Sequence, residues 1–147
     1  MNTVILSEKN FSPYKMISDF ESKNSLLGLS GAQSVFIGYM RKTNQLRDDI
    51  TSMTLDFYPN MTQRYLENLS KNSKVKHNLD NVLIVHRVGD VAPGDCLVIV
   101  ACWSKHRKES NNAVLDILED LKHNAPLWKK EFYSDKSSKW VDTNTQI

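Results

Sequence analysis

Two apolar runs joined by a turn constrain this chain more than any other feature. Residues 81–88, NVLIVHRV, and 96–103, CLVIVACW, flank Ala92-Pro93-Gly94-Asp95. A nearly continuous apolar run marks a central strand covered on both faces, and Pro-Gly-Asp is turn chemistry. The two runs are therefore expected to pair as a hairpin at the centre of a sheet.

The surrounding segments predict helices inserted among strand pairs. Ser12-Pro13 reads as a helix start, with Ser12 as N-cap and Pro13 at the first helical position, and the helix runs to about Ser22. Ala32 to Met40 is β-rich, with Val35 and Ile37 alternating against Ser34, Phe36 and Gly38. Ile50 to Phe57 alternates in the same way. Between them, RKTNQLRDD is polar and predicts a mobile loop. Met61 to about Ser70 predicts a helix with Met61, Tyr65 and Leu69 on one face, and KNSKVKHN a solvated connection. Val114, Ile117, Leu118 and Leu121 repeat at the spacing of an amphipathic helix. Trp128 to Tyr133 then predicts a short strand. The order is mixed, with no internal repeat, and predicts an α+β sandwich of helices on one sheet.

At 147 residues, with 40% apolar and 24% charged residues and a net charge of +2, the chain fits one domain, residues 1–147. That charge is too small to argue for nucleic acid, and no window approaches the ~20 apolar residues of a membrane helix. The start MNTVILSEKN has no basic leader or small-residue cleavage site, so a cytoplasmic protein is expected. Cys96 and Cys102 lie on one strand roughly 20 Å apart and are expected as buried thiols, since no disulfide spans that gap. The histidines His77, His86, His106 and His123 show no metal-ligand spacing, so no metal is expected.

Two basic clusters point to an anion site. In LKHNAPLWKKE, residues 121–131, Lys122 sits on the flank of the amphipathic stripe. Pro126 ends the helix, and Lys129 and Glu131 lie on one face of the following strand, opposite Lys130. The turn brings Lys122 and Lys129 back towards each other, and Lys122, as a flanking lysine, is expected to be partly dry. The second cluster, Ser104-Lys105-His106-Arg107-Lys108, lies where the buried strand gives way to this helix. Free amides there favour an anion, and Arg107 adds a bidentate grip. A helix of about 14 residues spans roughly 20 Å, so for His106 and Lys122 to serve one small ligand either other segments bridge them or two subunits share each site. A site shared by two subunits is expected.

LKHNAPLWKKE, HRVGDVAPGD, SKHR, GYMR and the closing KWVD, from about Gly31 to Asp142, together resemble the large, catalytic subunit of molybdopterin synthase. The resemblance implies an α/β hammerhead-type fold with flanking helices and a small extra β subdomain. It implies a homodimer within a heterotetramer, completed by a small ubiquitin-like subunit whose C-terminal Gly-Gly thiocarboxylate donates sulfur. Two transfers convert cyclic pyranopterin monophosphate to the dithiolene molybdopterin, without a metal or cofactor. Position by position, Lys122 and Lys129 match the catalytic lysines. Tyr39, Met40 and Arg41 match a first substrate-binding segment, His106 and Arg107 the phosphate-contacting pair, and Lys130 and Glu131 extend the segment begun at Lys129. Lys122 is expected to shuttle a proton and Lys129 to stabilise developing charge. Tyr39 stands where many relatives are basic, and Ser110-Asn111 replaces a more apolar pair, which predicts altered packing at the start of that helix.

The rival reading is a non-catalytic anion or single-stranded nucleic-acid module in which Arg41, Arg107, Phe57, Trp103 and Trp128 stack and clamp bases. A partner-binding paralogue without activity is a further alternative, and the presence of both lysines argues against it.

Overall fold

The structure is a computed structural model that describes residues 3–141. Asp142 of KWVD lies outside them. The elements run β1 (Val4–Ser7), α1 (Pro13–Lys23), β2 (Ala32–Tyr39), β3 (Ile50–Phe57), α2 (Pro59–Lys76) and β4 (Asn81–Arg87). They continue with β5 (Gly89–Val91), β6 (Cys96–Ser104), α3 (Arg107–Asn124), β7 (Leu127–Tyr133) and β8 (Ser138–Trp140). The expected hairpin is the centre of the larger sheet, ordered β1-β4-β6-β2. There β4 and β6 pair antiparallel with Val82 opposite Cys102 and Ile84 opposite Val100, and β1 joins β4 in parallel.

Helices cover both faces of that sheet. Val82, Ile84, Val100 and Cys102 pack on Leu66 of α2 and Ala113 and Ile117 of α3. Leu83, Val85, Ile99, Ala101 and Trp103 pack on Ile17 and Phe20 of α1. The continuous apolar runs follow from this, because both sides of each strand are dry. Ser12 caps α1 as expected, its hydroxyl accepting from the Lys15 amide.

Three sequence expectations are corrected. The strands do not all share one sheet: β5-β3-β7-β8 form a second, antiparallel one, whose inner face is Ile50, Met53, Leu55, Val91 and Tyr133 closed by Met40. This is the small β subdomain that the family resemblance implied. KNSKVKHN is largely exposed, as expected, but it is helix rather than a connection, since α2 continues to Lys76. Its buried stripe is Thr62, Leu66, Ser70 and Ser73, one position round from the expected Met61 face. Small hydroxyl residues continue the packing there, and hydropathy alone misreads them. The 41–49 loop is not loose either. The Arg47 guanidinium donates to both oxygens of Asp49, at 2.8 and 2.7 Å, reaches Asp135 at 3.1 Å and covers the Tyr133 ring at 3.9 Å.

Cys96 and Cys102 are both free and buried, as expected. Burial pushes the Cys102 thiol up to about 12, which leaves it unreactive. Among the described residues, no helix is long and apolar enough to cross a membrane.

Candidate active site

Lys129 is placed by the short turn between α3 and β7. Ala125, in extended conformation, ends the helix, and the Leu127 amide closes on the Ala125 carbonyl at 2.8 Å. The Thr62 hydroxyl, fully buried, donates to the Pro126 carbonyl at 2.9 Å and accepts from the Tyr58 amide at 3.2 Å. The turn is thereby tied to the start of α2. Strand β7 then runs antiparallel to β3 with Lys129 opposite Leu55, and its alternation sends Lys129 and Glu131 to the inner side.

Lys129 and Glu131 line a cavity of about 130 Å³ together with Tyr39, Met40, Arg41 and Asn44. The β2 segment enters it because Met40 is gripped by the APGD turn. Its amide donates to the Asp95 carbonyl at 2.9 Å, and its own carbonyl accepts from Gly94 at 2.8 Å. Met40 is buried in the small sheet's core, whereas Tyr39 and Arg41 are exposed. Arg87 braces the same turn from below. Its buried guanidinium reaches the Asp95 carboxylate of that turn at 3.5 Å and donates to Asn10 at 2.7 Å and to the Asp90 carbonyl at 2.9 Å.

Burial lowers the Lys129 pKa. The charge of Lys122 adds to the shift and that of Glu131 opposes it. The two lysines therefore act on each other electrostatically across the α3–β7 turn, as their spacing predicts. Lys122 is half-buried, as its place on the helix flank predicts, and Lys129 is the lysine whose pKa burial lowers. Lys129 projects beneath the inner face of a sheet, a drier place than the side of a helix.

The remaining expected residues lie elsewhere. Lys130 is on the outer face of β7, its ammonium 5.5 Å from the rings of both Phe132 and Trp140. His106 is the backbone N-cap of α3 and Arg107 its first residue, both exposed. Fifteen residues of helix separate Arg107 from Lys122, a rise of roughly 22 Å. Within one chain these two clusters do not meet. The Ser110-Asn111 departure is accommodated by hydrogen bonds: the Ser34 hydroxyl donates to the Asn111 side-chain carbonyl and lies 2.9 Å from the Ser110 hydroxyl.

His86 and Asn44 were not among the residues singled out from sequence. His86 is buried at the end of β4, and burial lowers its pKa to about 4, with the charge of Lys129 adding to the effect. Its Nδ1 donates to the Arg87 carbonyl at 2.7 Å, so the ring is neutral in a defined tautomer. The period-two register of Val82, Ile84 and His86 was the available signal. For Asn44 none existed, because the fold of the loop brings it to the cavity.

Residues 6–124 match the family described as MoaE protein. The chain belongs to the MoaE family. It is 36% identical to the molybdopterin synthase catalytic subunit of Haemophilus influenzae over 112 residues, spanning 76% of this chain and 73% of that relative. The MoaE protein of Burkholderia ambifaria has a similar fold, with a TM-score of 0.79 and 29% identity over 100% of this chain and 93% of that one. Molybdopterin synthase from Staphylococcus aureus is similar with a TM-score of 0.80 and 25% identity, covering 96% of this chain and 98% of that one.

Proposed function

We propose that this MoaE-family chain is the catalytic subunit of a molybdopterin synthase, converting cyclic pyranopterin monophosphate to the dithiolene with sulfur from the thiocarboxylate tail of a small ubiquitin-like subunit. The observation that carries the assignment is a lysine of lowered pKa, Lys129, sharing a cavity with Arg41 beside a second lysine, Lys122. Thiocarboxylate and cyclic phosphate are both anions. Arginine and lysine in a confined space concentrate them and offset their mutual repulsion.

A lysine whose pKa moves towards neutrality holds and releases a proton during turnover, so Lys129 takes the proton-transfer role as sulfur adds and the phosphate ring opens. Lys122 supplies positive charge to the developing anion. Glu131 balances the charge of the pocket, and Tyr39 and Met40 shape its wall. His106 and Arg107 serve the site of the other subunit in a homodimer, which reconciles their role with the length of α3. With the small subunits bound, the assembly is a heterotetramer, and the reaction is cytoplasmic. The nucleic-acid reading loses its central stacking residue, since Trp103 is 1% exposed, packed on Phe20 and donating to Glu21 at 2.9 Å.

Purified protein mixed with thiocarboxylated small subunit and the cyclic precursor is expected to form molybdopterin. Lys122→Ala and Lys129→Ala are each expected to lose about 100-fold or more. Lys130→Ala, on the outer face, is expected to retain most activity. Normal turnover by Lys122→Ala would overturn the catalytic assignment.

A further inference from the structure

Asn44 joins the 41–49 loop to the lysine site through Glu131. Its Oδ1 accepts the amide hydrogens of Leu46 at 2.8 Å and Arg47 at 2.7 Å, a side-chain turn that fixes the amide's orientation. Its Nδ2 then donates to Glu131 Oε1 at 3.1 Å, and the Tyr133 hydroxyl donates to the same oxygen at 3.4 Å. The loop is anchored by Arg47 on Asp49, Asp135 and the Tyr133 ring, so Asn44 has a firm base. Glu131 and Lys129, two residues apart on one strand face, have backbones only about 7 Å apart. Long side chains at that spacing reach each other readily. Here the carboxylate acts on the ammonium through space only, while its Oε1 is held by Asn44 and Tyr133.

We propose that Asn44 is a positioning residue that restrains the Glu131 carboxylate from closing onto Lys129, leaving the lysine able to give and take a proton. The proposal rests on the assignment of Lys129 to proton transfer. The groups that face the two residues come from every neighbouring element. Lys122 lies on α3, neutral His86 on β4, Tyr39 and Arg41 on the wall formed at the end of β2, and Lys139 on β8 opposite Glu131. Among these described groups Glu131 is the one carboxylate. Its release is therefore the change that raises the Lys129 pKa, since an opposite charge at contact favours the protonated amine.

The test reads Lys129 directly, without substrate, by competitive acetylation with acetic anhydride from neutral to alkaline pH, with Lys129 followed by mass spectrometry. Asn44→Leu is expected to move its labelling midpoint up by about one pH unit, and Tyr133→Phe, which leaves the loop turn intact, by less. In a Glu131→Gln background neither substitution moves it. In the synthase assay, Asn44→Leu is expected to lose about tenfold near neutrality and to recover as pH rises, whereas a structural defect lowers activity at every pH. An unmoved midpoint in both variants, or an equal rise with and without Glu131, would refute the proposal. If the labelling shift appears but wild-type protein forms no molybdopterin, the reaction assignment fails while the Asn44–Glu131 coupling stands.

Discussion

Replacing His86 with asparagine should flatten the acid side of the stability profile. Burial holds the imidazole at a pKa of about 4 against an ordinary 6.5, so the folded protein refuses a proton that the unfolded chain accepts. With the folded pKa depressed, the associated stability is fully present above 6.5 and is lost as pH falls towards 4. By about pH 5 the loss amounts to about 2 kcal/mol, and near the folded value it approaches about 3 kcal/mol. The substituted asparagine offers an amide donor in place of Nδ1 for the Arg87 carbonyl, but has nothing to titrate. Urea midpoints measured from neutrality to about pH 5 should therefore fall steeply in the native protein, and by about one proton's slope less in the variant. The carboxylates of Asp80 and Asp116, already depressed from 3.8 by their lysine neighbours, act at more acid pH and leave this window clear. The other histidines are common to both proteins and cancel in the comparison. Equal pH slopes for the two proteins would refute the reasoning.

Gly31→Ala would place a Cβ 2.3 Å from the Lys105 carbonyl oxygen, a backbone atom that cannot rotate away. It should cost about 2 kcal/mol in urea unfolding and disturb the junction that carries His106 and Arg107. Thr62→Val keeps the shape but strands the Pro126 carbonyl and the Tyr58 amide. A loss of about 1–2 kcal/mol, read as a lowered thermal midpoint, is expected together with reduced turnover through misplacement of Lys129. Mixing subunits that carry Arg107→Ala with subunits that carry Lys122→Ala should restore about a quarter of the native rate, because half the dimers are mixed and each has one intact site. No recovery after confirmed subunit exchange would count against a shared site.

The strands at the centre of the larger sheet, the Ser12-Pro13 helix start and the α3–turn–β7 passage were legible because each rests on local rules. Apolar continuity, an N-cap and the missing amide hydrogen of Pro126 act within a few residues. The face of α2 was misread for the opposite reason: Ser70 and Ser73 look solvated by composition and are buried only because α2 packs against the larger sheet. The period of β7 separated Lys129 from Lys130, as the structure bears out. It could not say which side of the strand would be dry.

Sequence alone determined that a positive turn ends in a strand with Lys129 and Glu131 on one face, and that Lys122 lies close by along the chain. Tertiary structure decided that burial lowers the Lys129 pKa, that His86 and Asn44 lie near it, and that a polar loop is a pinned wall. The physical reason is that burial and through-space charge depend on what packs from other elements. Strand period and helix spacing are set within the segment itself.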